Sequence, residues 1–185
     1  MIVAGNPKDS GADLAVVLVN TWDTYDDPHE LLIERQDLRD FLRIVGREDA
    51  ASEVTKRDLE EVKRLRDRLR KVFDAENVDE AAAVLNEIAA ETRAVPRLEA
   101  AEDGWRVRFG PGQQSIAAHL GATAAAALIE IVQAHGLTRF GTCAAGPCTG
   151  AFVDRTKNRG KRYCCELCAD RAAQQHHRLR RRRTT

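Results

Sequence analysis

The run Cys143-Ala144-Ala145-Gly146-Pro147-Cys148 and, after fifteen intervening residues, Cys164-Cys165-Glu166-Leu167-Cys168 decide how this chain reads. Two close thiol pairs joined by a short segment are able to meet at one tetrahedral ion, with metal–sulfur distances near about 2.3 Å. Gly146 and Pro147 suit the tight turn that aims the first pair. Four soft thiolates select zinc or iron, and a closed four-ligand site leaves no open position for water. The ion is then structural. A module this small, with few large apolar side chains, needs such a staple to fold. Disulfides and unrelated thiols stand as alternatives, the first disfavoured in a reducing compartment. Cys165 is the odd thiol: it either replaces Cys164 as a ligand or stays free and open to oxidation.

Working outward from the cysteines, charge divides the chain. The whole sequence balances, with 29 Lys and Arg against 29 Asp and Glu. From Arg139 onward there are twelve basic and three acidic residues, and all five Cys fall there. The preceding part is acidic by the same net amount. We place a boundary at 138/139, with residues 1–138 as one domain and 139–185 as a basic zinc module. Within the module, Phe152-Val153-Asp154, an Asn158-Arg159-Gly160 turn and Arg162-Tyr163 predict a hairpin, and a helix begins at Glu166. Turn, hairpin and ligand-bearing helix make a treble-clef-like arrangement. A helix N-terminus there favours thiolate charge.

Lys157, Arg159, Lys161 and Arg162 crowd the predicted hairpin. Arg171 and Arg178, seven apart, share a face of the final helix, which closes on Arg180 to Arg183. Such a cluster neutralises phosphates and predicts salt-sensitive DNA binding. With few aromatics ahead of that helix, Phe152 and Tyr163 among them, duplex backbone contact fits better than single-strand stacking. The rival reading has these cations offset the thiolate charge, or dock on an acidic protein surface. His176 and His177, adjacent and divergent, read as exposed rather than as ligands.

The first part is helix-rich: 31% of the 185 residues are charged and 5% aromatic. After a leader of about a dozen residues, a helix capped by Asp13 runs to Trp22 through the unbroken run Leu14 to Val19. Asp26-Asp27-Pro28 is loop. Glu34 to Val45, stopped by Gly46, and Thr55 to Phe73 carry apolar stripes at helical spacing. Asp79 to Thr92 does the same. Arg97 to Ala100 and Trp105 to Phe109 alternate about Asp103-Gly104 as a β-hairpin. Ser115 caps an Ala-rich helix reaching Ala134, central to the core. The fold class is mainly α with a small β-hairpin (α+β).

Function classes narrow accordingly. The apolar runs Leu14 to Val19 and Ala122 to Ile129 fall short of the roughly 20 residues a membrane span needs, and no basic-then-apolar leader opens the chain. We expect a cytoplasmic protein. His29, His119 and His135 are scattered, Gly110-Pro111-Gly112 lacks the spacing of a phosphate loop, and no triad converges, which argues against an enzyme. Asn20, Thr21 and Trp22, closing an apolar helix, either cap it or line a ligand pocket.

These residues carry a resemblance. Cys143-x4-Cys148, Phe152-Val153-Asp154, Asn158-Arg159-Gly160-Lys161-Arg162-Tyr163-Cys164 and Cys168-Ala169-Asp170-Arg171 together resemble the CGNR zinc finger. Leu18-Val19-Asn20-Thr21-Trp22, with Asp37-Leu38, Phe41-Leu42 and Gly46, is similar to the opening of its companion, the ABATE domain of stress-induced transcription regulators. The resemblance covers nearly the whole chain. It implies one zinc ion on Cys143, Cys148, Cys164 and Cys168, DNA as partner and a small-molecule effector on the first domain; the sequence leaves the oligomeric state open, a homodimer included. The eponymous motif is altered: Ala169 and Asp170 stand where the family has Gly and Asn; an acid at position 170 would repel phosphate if the Asn contacts nucleic acid, and can still accept a bond if the Asn hydrogen-bonds within the finger. Cys165 takes a position commonly Ser.

Overall fold

In the computed structural model, residues 11–25, 27–101, 104–110 and 115–183 are described; of residues 99, 101, 106, 108–110 and 176–183 only the backbone is. Chain order is α1 (Gly11–Val19), α2 (Arg35–Ile44), α3 (Lys56–Phe73), α4 (Val78–Glu91), β1 (Val95–Ala101), β2 (Gly104–Gly110), α5 (Ile116–His135), β3 (Phe140–Thr142), β4 (Ala151–Val153) and α6 (Glu166–Arg183). The class is α+β, dominated by helix.

The helix starts follow local chemistry. Thr55 accepts the N–H of Asp58 while Asp58 takes the N–H of Thr55, a reciprocal cap on α3. Asn77 and Ser115 accept N–H groups at the starts of α4 and α5. The α3 stripe Leu59, Val62, Leu65, Leu69 and Val72 is buried, as its spacing predicts.

Helix α1 differs from expectation. It begins at Gly11, not at an Asp13 cap, and ends at Val19, so Asn20 to Trp22 lie beyond it. Asp13 sits in the first turn and pairs with Arg155 of the zinc module at 3.0 Å. Gly11 is required by packing: a Cβ there would lie 2.4 Å from the Thr123 carbonyl oxygen of α5. The expected leader otherwise falls on residues 1–10, outside the described residues, as do Asp26, Asp103 and the Pro111-Gly112 turn.

Helix α5 is central. Leu120, Ala122, Ala124, Ala125 and Leu128 are buried, and it packs against α1, α3 and α4. With a mean hydropathy of 1.5 it is, among the described helices, long and apolar enough by composition to span a membrane. The sequence reading missed this because it measured unbroken apolar runs. In this fold the helix instead supplies the core against which the others pack.

Two small antiparallel sheets complete the fold. β1 and β2 form the predicted hairpin, Leu98 opposite Val107 and Ala100 opposite Trp105. β4 pairs with β3, Phe152 opposite Gly141, and not with the segment around Arg162-Tyr163. The predicted partner of Phe152-Val153 is therefore corrected. Segment 155–163 has no strand: the Asp154 side chain takes the N–H groups of Thr156 and Lys161, and the Arg162 carbonyl is taken by Ala144 of the knuckle. Ala151 and Val153 of β4 join the same apolar core as α1, α3 and α5.

Candidate metal centre and its seam with the helices

Cys143 follows β3, Cys148 ends the knuckle, Cys164 precedes α6, and Cys168 lies in its first turn. The knuckle is closed by Cys143 N–H donating to Gly150 O at 2.8 Å, and Ala144 N–H reaches Arg162 O at 2.8 Å, bringing the two thiol pairs together. All four Sγ atoms are within 4.8 Å of one another and their residues are buried. Sγ–Sγ distances are 3.7 Å for Cys148–Cys164 and 3.6 Å for Cys164–Cys168. A tetrahedron of about 2.3 Å zinc–sulfur bonds needs sulfurs about 3.8 Å apart. The donor set therefore fits one zinc ion, with no disulfide among the cysteines. Cys165 is half-buried beside the site; the alternative in which it replaces Cys164 is not realised, since Cys164 completes the cluster.

Local electrostatics favour metal over free thiols. Burial pushes Cys164 up, and the neighbouring Cys148 and Cys143 add to it. Burial raises Cys148 as well, with the Asp23 carboxylate contributing. Burial takes Cys168 up to about 11. For Cys143 burial acts in the same direction, but hydrogen bonds from the backbone N–H groups of Cys164 and Ala145 outweigh it and its thiol is lowered. Without a cation, clustered thiols suppress one another's ionisation; a divalent ion reverses that cost.

Asp23, which the sequence reading passed over, joins this site to the helices. It is 1% exposed. Its Oδ1 accepts the N–H of Thr149 at 2.9 Å and the N–H of Tyr25 at 3.0 Å; its Oδ2 accepts the Cys148 thiol proton at 3.0 Å. Burial alone would raise its pKa, but these donors overcome burial and hold it below the usual 3.8. With zinc bound, Cys148 would give up that proton, and the two N–H groups with the Thr149 hydroxyl, 3.3 Å from Oδ1, would still hold the carboxylate.

Asn20 pairs like a strand residue with Ala151: its Nδ2 donates to Ala151 O at 2.9 Å and its Oδ1 accepts Ala151 N–H at 2.7 Å. Thr24 donates to Pro147 O at 2.6 Å and Arg70 to Thr149 O at 2.7 Å. Thr21 donates to Leu18 O at 2.7 Å and lies 3.4 Å from Arg66 Nη1. Trp22 is 42% exposed, edge-on to the His29 ring. The structure thus separates these three residues: Asn20 faces the zinc knuckle, Thr21 the helical core and Trp22 the surface. No sequence signal marked the seam, because its partners are 79 to 131 residues apart.

The cations also divide. Asp154 receives the N–H groups of Thr156 at 2.7 Å and Lys161 at 2.9 Å, shaping the loop between them. Lys157 and Arg159 are exposed on that loop, Arg159 at a left-handed φ of 51°. Lys161 lies over the Phe152 ring at 5.2 Å and Arg162 beside Tyr163 at 5.8 Å. Arg171 stacks on Tyr25, across the seam, at 3.6 Å. Arg178 is on α6, its side chain outside the described residues, as are those of His176, His177 and Arg180 to Arg183.

Fold and site define a class: a helical protein carrying a four-cysteine zinc finger seated against its own helices. Residues 12–135 match the ABATE family, described as a putative stress-induced transcription regulator, and residues 139–181 match the CGNR zinc finger. The chain belongs to this ABATE family and carries the CGNR finger behind it; neither is an enzyme family. No curated protein matches it.

Proposed function

We propose that this protein is a cytoplasmic, non-enzymatic transcription regulator that binds duplex DNA through residues 139–185, under control of a small molecule acting on residues 1–138. The observation carrying this reading is the loop after Asp154. A buried carboxylate shapes it, the zinc knuckle anchors it, and it carries Lys157 and Arg159 exposed, with Arg162 behind them. Cations held on a pre-shaped loop meet phosphates without the ordering cost of a mobile tail. Lys161 belongs to the same segment, and Arg171 and Arg178, carried by α6, are the further candidates for phosphate contact; Asp170 is exposed beside Arg171 and reduces its charge. The effector arm rests on Trp22, since the polar atoms of Asn20 and Thr21 are engaged within the protein.

A second reading has a specific observation behind it. Arg171 on Tyr25 and Arg155 on Asp13 show basic residues of the finger turned onto the helices, as in a module that docks on protein surfaces.

Fluorescence anisotropy of the zinc-loaded chain on a random-sequence duplex, across a salt series, separates the two. Each phosphate contact contributes about −0.9 to the slope of log affinity against log salt. The double variant Lys157→Ala, Arg159→Ala should flatten the slope by roughly two units with zinc content unchanged. A wild-type protein with no affinity at low salt would remove the DNA reading and leave the docking one.

A further inference from the structure

Arg171 is carried by the finger but held by the helical part of the chain. Its guanidinium lies 3.6 Å from the centroid of the Tyr25 ring, across the seam. It follows the ligand Cys168 by three residues on α6, so the zinc site fixes the turn that bears it. The ring is fixed too. Tyr25 N–H donates to Asp23 Oδ1 at 3.0 Å, and Asp23 is held in turn by Thr149 N–H at 2.9 Å. Next to it, Thr24 donates to Pro147 O of the knuckle at 2.6 Å. Both partners of the stack are thus tied to the same knuckle, while Tyr25 stays 41% exposed and Arg171 half-buried.

We infer that Tyr25 is a positioning residue for nucleic acid: its ring pre-sets the Arg171 guanidinium for a backbone phosphate. The inference rests on the DNA reading above and adds to it a residue outside 139–185. Stacking engages the face of a guanidinium and leaves its N–H donors, which lie in the plane, to a bidentate acceptor. Among the described residues no carboxylate forms an ion pair with Arg171, and Asp170 beside it is exposed. The fork matches phosphate oxygens, and a side chain already ordered on a ring loses less rotamer freedom on contact. The contact that turns Arg171 toward the helices therefore also readies it for an anion.

Anisotropy of the full zinc-loaded chain on the random-sequence duplex, arranged as a double-mutant cycle, tests this. Tyr25→Leu keeps apolar bulk but removes the π face. It should weaken binding about three- to tenfold, the cost of ordering a freed Arg side chain, with the salt slope kept because the charge remains. Tyr25→Phe restores the ring and should restore the affinity. Arg171→Gln should flatten the slope by about one unit, and adding Tyr25→Leu to it should weaken binding no further. Full affinity in Tyr25→Leu, or an equal loss with and without Arg171, overturns the inference and leaves the DNA reading standing. A wild type without affinity for the duplex at low salt removes both. Should Tyr25→Leu lose zinc, the wild type supplies the readout by NMR. The Arg171 Nε–H signal should move as duplex is added and keep its upfield ring-current displacement; a signal that DNA leaves unmoved, or that loses the displacement, refutes the inference.

Discussion

Asp23 shows how one side chain ties two parts of a sequence together. Its carboxylate is buried, and Thr149 and Tyr25 donate backbone N–H groups to it. Removing a buried acceptor leaves those donors unsatisfied at about 1–3 kcal/mol. Asp23→Ala should therefore lower stability by about that amount in the zinc-loaded protein, as measured by urea denaturation. A loss within a few tenths of a kcal/mol would mean that water replaces the carboxylate. Asn20 belongs to the same scale. Read in isolation, a polar residue after an apolar helix is a cap or a pocket residue. Its amide in fact matches both backbone groups of Ala151, a role that requires Ala151 to arrive from far along the chain.

Among the elements, the three-residue strands β3 and β4 carry more weight than their length suggests. Their pairing places Gly141 against the Phe152 ring, where a Cβ would lie 2.4 Å from Cζ. Gly141→Ala should cost about 1–3 kcal/mol through overpacking, lowering the melting temperature of the zinc-loaded chain. A neutral substitution would show that the ring turns aside. The same pairing explains why the expected partner at Arg162-Tyr163 was wrong. The strand at Phe152-Val153 was legible, but a strand of three residues pairs with whichever backbone packing presents, and Asp154 holds the N–H of Lys161 in the later segment. Helices α2 to α5 raised no such ambiguity, since caps and stripes act within each helix.

At the scale of the whole molecule, the finger and the helices share one apolar core through Ala151 and Val153, and one polar seam through Asn20, Asp23, Thr24 and Arg70. Zinc loss should then be felt outside the finger. Chelation should speed amide exchange at residues 20–25 while leaving α2 protected; unchanged exchange at those residues would show that the seam stands without metal. Metal affinity should depend on pH through the thiols. Cys148, Cys164 and Cys168 are held above the usual 9.0 in the metal-free fold, so each keeps its proton at neutral pH and must release it to the ion. Zinc affinity therefore falls as pH falls, by roughly three decades per pH unit for three protons released. Competition with a chromophoric chelator across the neutral range measures the slope; a flat profile would mean the thiols are already ionised.

From the order of residues alone came the features written in short stretches of chain. These are the cysteine spacing that admits one tetrahedral ion, the helical stripes, the tight hairpin, and the segregation of charge toward the carboxyl end. Each depends on neighbours within a few turns or a few bonds, and so each was readable before any folding. Tertiary structure decided what those features meet. It turned Asn20 and Asp23 toward the knuckle, gave Phe152 its strand partner, seated Arg171 on Tyr25 and left the Leu98–Trp105 face open. The physical reason is that hydrogen bonds and ring contacts across large sequence separations are chosen by the packing of the core, which no local pattern encodes.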